Sequence, residues 1–415
     1  MNVYPPFKDK LEILSEDQIL SVLVSFDDLS NRDKFIKKYN RLDIICKFDF
    51  IPSILVNLKK KQIFNYESEA LIKQIEENQI VYPAMLDVNK ILELDEYKNS
   101  EISYTGKNVK VGIIDDGINE KIPALSEVSL KKFKLYDVEK TIRDNGEISH
   151  GTVMASIISN RFEDSNGNYI GIAPNVKIYD FDISNSHREH SFNDILRVFD
   201  KIYEEQINLD IIFISLTTKN SSDGKDLLSL ACDLLSDKNI IVVCPAGNFG
   251  PNSYSIGSPG AAKKVITIGA FDKELSISNF SGRGPTLDKR KKPDLCFPGS
   301  NILVPITNDL RLNVSGTSVA TATGVGVIAL IKEYDPNITH DILMDLFNKS
   351  RIDLEDNANT QGLGTIKVSN LFKNLDLFHD KLVPYNYLIK KALKISIEFL
   401  ILFIILFYFF YFFRI

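Results

Sequence analysis

The chain has 415 residues and a formal net charge of −6, and 44% of its residues are hydrophobic. This length and composition predict a globular protein with more than one domain. Lysine and arginine are interspersed with acidic residues and form no basic stripe, so we expect no nucleic-acid partner.

The four cysteines are far apart in the sequence and match neither a metal-ligand spacing nor a disulfide framework. They fit a reducing compartment, and we expect them to behave as small hydrophobic side chains. These residues are Cys46, Cys232, Cys244 and Cys296.

The N-terminal part divides into a short segment, residues 1–15, and a small domain, residues 16–90. Hydrophobic periodicity predicts alternating strands and helices in this domain. The expected elements are a strand over 19–26, a helix over 30–39 with Ser30 as its cap, strands within 44–58, a helix over 67–77 and a strand over 79–85. This β-α-β-β-α-β order is the ferredoxin-like arrangement of an α+β domain.

Residues 91–375 contain nearly continuous apolar segments separated by helix-like stretches. Strands that are apolar on both faces and alternate with helices predict a parallel sheet in a three-layer α/β domain. The segments are 109–114, 176–181, 211–216, 240–244 and 265–268. Ligands bind beyond the carboxyl ends of such strands, so polar residues there are the first candidates for a functional site.

The C-terminus consists of a polar linker, residues 376–394, and an apolar tail, residues 395–415. A helix over 395–413 is about 28 Å long, close to the thickness of the hydrocarbon core of a membrane. A buried core helix or strand is the alternative. Lysines precede the tail and no signal peptide begins the chain. We therefore expect a single-pass C-terminal transmembrane helix, with the preceding domains in the cytoplasm.

An aspartate and a histidine occupy positions typical of catalysis. Asp115 ends a buried strand next to Gly117, and a carboxylate there can orient a histidine, although a turn residue is the alternative. His150 begins an apolar helix-like stretch after a polar loop and can accept a proton near neutral pH. A lone histidine at a helix start is more often structural than catalytic.

A serine and an asparagine complete the candidate site. Ser318 begins a predicted helix that extends to about Lys332, and the N–H groups at a helix start favour a nearby oxyanion. A simple helix cap is the alternative. Asn248 follows a strand, and its amide can donate a second hydrogen bond to an oxyanion or can be a turn residue.

The chain order Asp115, His150, Asn248, Ser318 and the sequences around these residues resemble the subtilisin-like serine protease family over about residues 80–350. Three further segments resemble the family: Tyr104-Thr-Gly-Lys-Asn-Val-Lys-Val-Gly-Ile-Ile-Asp, Gly171-Ile-Ala-Pro-Asn and Phe280-Ser-Gly-Arg-Gly-Pro. The resemblance implies a subtilisin-like parallel-sheet catalytic domain, preceded by a ferredoxin-like propeptide-type domain.

The resemblance also implies the role of each residue in peptide hydrolysis. Ser318 is the nucleophile, and His150 is the general base and then the general acid. Asp115 orients His150. Asn248 forms the oxyanion hole together with the backbone N–H of Ser318. The family needs no cofactor for this chemistry.

Substrate binding is implied for a strand and a glycine. The strand Ser215-Leu216-Thr217 resembles the one that pairs with the substrate backbone, and Gly257 resembles the floor of the S1 pocket. This pocket holds the P1 side chain, which precedes the cleaved bond. A glycine floor implies a large apolar or aromatic P1 residue. However, Thr217 and Thr218 stand where the family usually has glycine.

Two regulatory features complete the expectations. The N-terminal domain resembles a propeptide, which implies an intramolecular inhibitor and a cut after about residue 85. Asp164, Asn166 and Asn168 place oxygen atoms at alternate positions and are candidate ligands of a structural Ca²⁺, with a polar turn as the alternative.

The expected function is a membrane-tethered serine endopeptidase that processes peptide or protein precursors. One alternative is a catalytically silent scaffold protein with the same fold. Another is an α/β hydrolase such as an esterase, but Gly316-Thr-Ser-Val-Ala lacks the second glycine of the Gly-x-Ser-x-Gly turn.

Overall fold

The computed structural model describes residues 2–12, 14–78, 80–83, 92, 97, 103–136, 148–163, 170–185, 189–307 and 310–375. Four expectations lie outside these residues: the cut after about residue 85, the linker over 376–394, the membrane anchor over 395–415, and the calcium candidates Asp164, Asn166 and Asn168. Within the described ranges, no helix is both long enough and apolar enough to cross a membrane.

The N-terminal unit, residues 2–78, is an antiparallel sheet packed against helices. Its elements are α1 (Pro5–Glu12), β1 (Ile19–Ser25), α2 (Leu29–Lys38), β2 (Asp43–Phe48), β3 (Ser53–Lys59), α3 (Lys60–Tyr66) and β4 (Gln74–Glu77). The strand order across the sheet is β2-β3-β1-β4, and each neighbouring pair is antiparallel. From β1 onward, the element order agrees with the predicted β-α-β-β-α-β sequence.

The predicted helix over 67–77 is wrong. Helix α3 ends at Tyr66, and β4 pairs with β1 so that Ile75 lies opposite Val24. The charged pattern of this segment suggested a helix, but the open edge of β1 provides hydrogen-bond partners only for an extended chain. Tertiary pairing therefore overrides the local preference.

The N-terminal unit also differs from expectation at two boundaries. Helix α2 is capped by Asp28, which accepts from the Asn31 N–H at 2.7 Å, and not by Ser30. Phe7 and Leu11 of α1 are buried in the same core as the strands, so the unit begins before residue 16.

The main unit, residues 103–375, is built on a parallel sheet. Its elements up to the sixth helix are β6 (Lys110–Asp115), β7 (Ser129–Lys134), α4 (His150–Ser159), β8 (Lys177–Asp182), β9 (His190–Ser191), α5 (Phe192–Glu204), β10 (Ile211–Ile214), β11 (Leu216–Thr217) and α6 (Leu227–Asp237). A 3₁₀ turn spans Pro123–Leu125, and β5 (Ile80–Pro83) precedes the unit.

The remaining elements are β12 (Ile241–Pro245), β13 (Ile266–Phe271), β14 (Leu295–Pro298), β15 (Ile302–Pro305), β16 (Arg311–Val314), α7 (Thr317–Tyr334), α8 (His340–Ser350), β17 (Arg351–Ile352), α9 (Ala358–Gln361) and β18 (Thr365–Ile366). Among the described residues, the central sheet has seven strands in the order β14-β13-β12-β10-β6-β8-β7, all parallel. The predicted parallel α/β architecture is confirmed.

Helices cover both faces of this sheet. Helix α7 is buried over almost its whole length, because small residues let it lie close to its neighbours. A Cβ atom added to Gly326 would lie 2.7 Å from Ile172, and one added to Gly324 would lie 3.1 Å from Phe297. Helix α4 packs beside α7, whereas α5 and α6 belong to the core on the other face.

The N-terminal unit packs on α5 and α6. Successive residues of a strand point to opposite faces, and in β1 Val22 and Val24 face the unit's own core while Leu23 joins the core that contains Phe199 of α5. The following segment, β5, lies at the centre of a three-stranded sheet between β9 and β11. This placement corrects the expectation that 79–85 is the last strand of the N-terminal sheet.

Candidate active site

Asp115 is the last residue of β6, a central strand of the parallel sheet. Its side chain is 1% exposed, and its Oδ1 accepts from the N–H of Asp116 at 2.7 Å. The carboxylate of Asp116 in turn accepts from the N–H of Gly151 at 2.9 Å. A Cβ atom on Gly151 would lie 3.1 Å from Asp115 Cβ, so this glycine lets α4 approach the carboxylate.

His150 is the first residue of α4, which is capped by Ser149. The Ser149 hydroxyl accepts from the Thr152 N–H at 3.2 Å and fixes where the helix starts. His150 Nδ1 lies 2.8 Å from Asp115 Oδ2, and Nε2 lies 3.1 Å from Ser318 Oγ. The imidazole therefore bridges a carboxylate and a hydroxyl, as a general base requires.

Ser318 is the second residue of α7, and its side chain is buried. Backbone N–H groups in the first turn of a helix point beyond the helix start, where they favour a bound anion. The helix also adds the positive end of its dipole. The three side chains, which are 35 and 168 residues apart in sequence, meet at the carboxyl edge of the sheet.

The charge state of Asp115 follows from its surroundings. Burial alone favours the protonated carboxyl, but His150, the Ser215 hydroxyl and the Asp116 N–H together hold the pKa of Asp115 below its ordinary value. The carboxylate can thus remain ionised and stabilise a positive imidazolium beside it.

Asn248 follows β12 and lies beside the start of α7. Its Oδ1 accepts from the N–H of Thr317 at 2.9 Å and from the Thr317 hydroxyl at 3.0 Å. Because the oxygen is engaged, the NH₂ end of the amide is the part that can donate to a ligand. Sequence analysis missed Thr317, although it directly precedes Ser318 and also accepts from the Gly247 N–H at 3.1 Å.

The expected substrate strand is divided at Ser215. Strand β10 ends at Ile214, and Ser215 donates its hydroxyl to the Ile114 carbonyl at 3.1 Å. The next two residues form β11 and pair antiparallel with β5, with Leu216 opposite Pro83 and Thr217 opposite Tyr82. The main unit thus binds an extended segment of its own chain along β11.

Sequence analysis also missed Asp180 and Asp182 of β8. Asp182 lies so close to Gly117 that a Cβ atom there would be 2.8 Å from the carboxyl carbon, and Gly117 has φ +88°. Asp180 Oδ2 accepts from the Ile118 N–H at 3.0 Å. These acids hold the loop that follows Asp115. Their alternate positions in an otherwise apolar strand are the signal that could have identified them.

Two further predictions concern Gly257 and metals. Gly257 is buried and packs against Thr218, which lies next to β11. Among the residues that the structure describes, no cluster of three or more His, Cys, Asp or Glu side chains could hold a metal ion.

A serine, a histidine and an aspartate that meet on a parallel α/β sheet define the class of serine hydrolases. The sequence pattern of the Subtilase family matches residues 106–365, well over half of the chain. The chain therefore belongs to the subtilase family and is a serine endopeptidase.

Relatives and solved structures agree with this assignment. The chain is 27% identical to "Serine protease AprX" of Bacillus subtilis (strain 168) over 376 residues, which cover 82% of this chain and 81% of the relative. It is 30% identical to "Major intracellular serine protease" of the same organism over 265 residues, 60% of this chain and 78% of the relative.

The fold resembles that of the epidermin leader peptide processing serine protease from Staphylococcus aureus, with a TM-score of 0.62 and 18% identity over 85% of this chain and 98% of that structure. It also resembles fervidolysin from Fervidobacterium pennivorans, with a TM-score of 0.64 and 18% identity over 86% of this chain and 61% of that structure. At this identity the likeness concerns the fold.

Proposed function

We propose that this subtilase cleaves peptide bonds through Asp115, His150 and Ser318. Ser318 Oγ attacks the carbonyl carbon of the peptide bond while His150 Nε2 takes the hydroxyl proton. The C–N bond then breaks, His150 gives that proton to the leaving amine, and an ester of Ser318 remains. A water molecule cleaves the ester through the same proton transfers and releases the carboxylic acid. The observation that carries the proposal is the continuous chain of contacts from carboxylate to imidazole to hydroxyl.

Each attack on the carbonyl carbon forms a tetrahedral intermediate, and its negatively charged oxygen needs hydrogen-bond donors. We assign this role to the NH₂ group of Asn248 and the backbone N–H of Ser318. The contacts of Asn248 with Thr317 support this assignment, because they hold the amide in one orientation before substrate binds. The proposed steps use only groups of the chain itself, in keeping with subtilases, which need no cofactor for catalysis.

The N-terminal unit is proposed to be an intramolecular inhibitor. Its support is the position of β5, which pairs with β11 where a substrate backbone would have to bind. The chain then continues towards the expected cut after about residue 85. An extended segment that occupies this strand excludes any other peptide from it.

Contacts between the two units hold β5 in place. Asp200 of α5 accepts from the N–H groups of Asp49 and Phe50 at 3.0 and 2.7 Å. Glu76 of β4 accepts from the N–H of Leu227 at the start of α6. Each contact joins a carboxylate of one unit to the backbone of the other, so the docking depends on the charge state of these acids.

We further propose that the enzyme processes a peptide or protein precursor at the cytoplasmic face of a membrane, with residues 395–415 as the anchor. The apolar composition of this tail supports the anchor, and the printed function of the Staphylococcus aureus protein, leader peptide processing, supports the substrate class. Membrane fractionation followed by external protease tests the topology. A main unit that is soluble, or digested from the outside of intact cells, contradicts it.

Structural Ca²⁺ at Asp164, Asn166 and Asn168 remains a prediction. Carboxylate and amide oxygens are suitable Ca²⁺ ligands. Thermal unfolding of the Ser318→Ala chain with Ca²⁺ and with a chelator tests it. A melting temperature that is the same in both contradicts a bound ion.

The catalytic proposal is tested by peptide hydrolysis with the full-length chain, the Ser318→Ala variant and a matched serine control. Ser126→Ala is the control, because Ser126 is exposed and its hydroxyl contacts only the Pro123 carbonyl among the described residues. We expect hydrolysis by the wild type and by Ser126→Ala, once the chain has been cut near residue 85, and its loss in Ser318→Ala. Full activity of Ser318→Ala overturns the proposal, and a wild type that stays inactive after this cut leaves a scaffold protein as the explanation.

A further inference from the structure

The side chain of the P1 residue has little room in this cleft. The resemblance to subtilisin-like proteases implies that a peptide paired with β11, with its carbonyl at Ser318, places its P1 side chain between β11 and the segment 245–248. Gly247 belongs to that segment and is next to the nucleophile, because its N–H donates to the Thr317 hydroxyl at 3.1 Å. The size of this gap is therefore set by Gly247 and by the side chains of β11.

Thr217 narrows the gap from the side of β11. Its hydroxyl donates to the Ser258 carbonyl at 3.3 Å, which leaves the methyl group to point across the gap. A Cβ atom built on Gly247 would lie 3.1 Å from that methyl carbon, closer than ordinary van der Waals contact. Even the smallest side chain on the opposite wall would thus touch Thr217.

Thr218 occupies the space above Gly257. A Cβ atom on Gly257 would lie 2.2 Å from the carbonyl oxygen and 2.5 Å from the hydroxyl of Thr218. The Thr218 N–H donates to the Ser258 carbonyl at 2.8 Å, and its hydroxyl accepts from the Ser258 N–H at 2.9 Å. The Thr218 hydroxyl thus lies beside Gly257, where a residue with no side chain would leave more room for P1.

The threonines are fixed to a rigid support. Ser258, to which both are bonded, donates its own hydroxyl to Asp226 at 2.6 Å. Asp226 is buried, caps α6 and accepts from the Ser229 N–H at 2.9 Å. A bound peptide cannot push Thr217 or Thr218 aside without breaking these buried hydrogen bonds.

We propose that Thr217 and Thr218 close the S1 pocket and restrict this protease to substrates with a small P1 residue, namely glycine, alanine or serine. The proposal rests on the peptidase function proposed above and specifies its substrate class.

The test uses the full-length chain and a set of peptides that differ only at P1. We expect kcat/KM to be at least about tenfold higher with alanine than with leucine or phenylalanine, because a pocket that lacks room rejects each extra group. Thr217→Gly and Thr218→Gly should raise the phenylalanine-to-alanine ratio by about tenfold to a hundredfold. Ser126→Ala, the exposed serine used as a control above, is the matched control and should keep the wild-type preference.

Labelling of Ser318 by a fluorophosphonate, which carries no P1 side chain, separates the two proposals. A wild type that is labelled but cleaves after phenylalanine as fast as after alanine overturns the closed pocket and leaves the peptidase intact. A wild type that is neither labelled nor active after the chain has been cut near residue 85 overturns both. A glycine variant that fails to fold will not be labelled. In that case the phenylalanine-to-alanine ratio is measured for Thr217→Ser, which removes only the methyl group. An unchanged ratio in a labelled variant excludes that threonine as a determinant.

Discussion

Buried charged side chains have different partners inside the main unit and at its contact with the N-terminal unit. Inside the main unit, Asp115 faces His150, and Lys292 faces Asp294 at 2.6 Å. At the contact between the units, Glu76 and Asp200 accept from backbone N–H groups. Charge pairs persist over a wide pH range, whereas a carboxyl without a positive partner is easily protonated. The difference indicates a permanent catalytic framework and a docking contact that responds to pH.

The largest expected effect tests the permanent framework. Asp115→Asn keeps the size of the side chain but removes the charge that orients His150 and stabilises its positive form. We expect kcat to fall about 10⁴-fold. Peptide hydrolysis measures it, with circular dichroism to verify folding. A folded variant that loses less than tenfold would mean that His150 does not depend on this carboxylate.

Removal of a buried cation should destabilise the main unit. The ammonium group of Lys292 is buried and donates to the Val265 carbonyl at 2.7 Å as well as to Asp294. In the Ser318→Ala background, which prevents self-digestion, Lys292→Met should lower the free energy of unfolding by about 3–5 kcal/mol. Urea denaturation measures the change.

The matched control for this variant is Lys273→Met, whose side chain is largely exposed and paired only with the neighbouring Glu274 among the described contacts. It should change the free energy of unfolding by less than about 1 kcal/mol. If both substitutions lower the free energy of unfolding equally, the buried ion pair does not stabilise the main unit more than an exposed pair does.

Asp180 is an exception inside the main unit, as is the buried Asp226. Burial and the neighbouring Asp182 raise the pKa of Asp180 to about 8. The folded chain then binds a proton more tightly than the unfolded chain, so stability falls as the pH rises from about 4 to about 8. Asp180→Asn, which keeps an oxygen for the Ile118 N–H, should reduce this loss by a few kcal/mol. Urea denaturation at pH 5 and pH 8 measures it, and an unchanged loss would refute a protonated Asp180.

The smallest effect is expected from a substitution at the docking contact, where Glu76 makes docking depend on pH. Burial and then the nearby Asp226 raise the pKa of Glu76 well above its ordinary value, with Asp223 adding to the effect. Docking therefore takes up a proton and weakens as the pH rises through the range above the ordinary glutamate pKa. Glu76→Gln cannot ionise and should make docking less dependent on pH.

Hydrogen exchange of β5 and β11 in the full-length Ser318→Ala chain measures docking, after correction for the intrinsic pH dependence of exchange. We expect protection that decreases at alkaline pH in the parent and persists in Glu76→Gln. Glu77→Gln, on the same strand, is the control and should behave like the parent. Protection that is equally constant in all three chains would contradict the proposed pH response.

The parallel sheet could be predicted because its signal is local: strands buried on both faces are apolar throughout, as in 109–114. The candidate triad could be predicted only from the ordered resemblance of its segments to a known family, because His150 and Ser318 taken singly are also typical of ordinary helix starts. The division at Ser215 could not be predicted, because β11 takes its partner from residues 80–83, more than 130 positions earlier. The change of partner strand leaves no mark in the periodicity of 211–216.

The burial of Glu76 could not be predicted from the sequence either. In sequence it belongs to a charged stretch that favours a helix, but in the structure it is buried where two units meet. A buried glutamate is acceptable there only because the N–H groups at the start of α6 supply a partner. Thr217 and Thr218 could be recognised as departures from the family, yet their effect on the pocket depends on Gly247 and Gly257, which lie elsewhere in the sequence.

The most direct test of the central claim is to find where an active-site reagent reacts. The full-length chain is treated with a fluorophosphonate, digested and examined by mass spectrometry. We expect one adduct, on Ser318, which disappears in His150→Ala because the hydroxyl is no longer activated. An adduct on a different serine, or an adduct on Ser318 that forms equally fast without His150, would contradict the proposed catalytic triad.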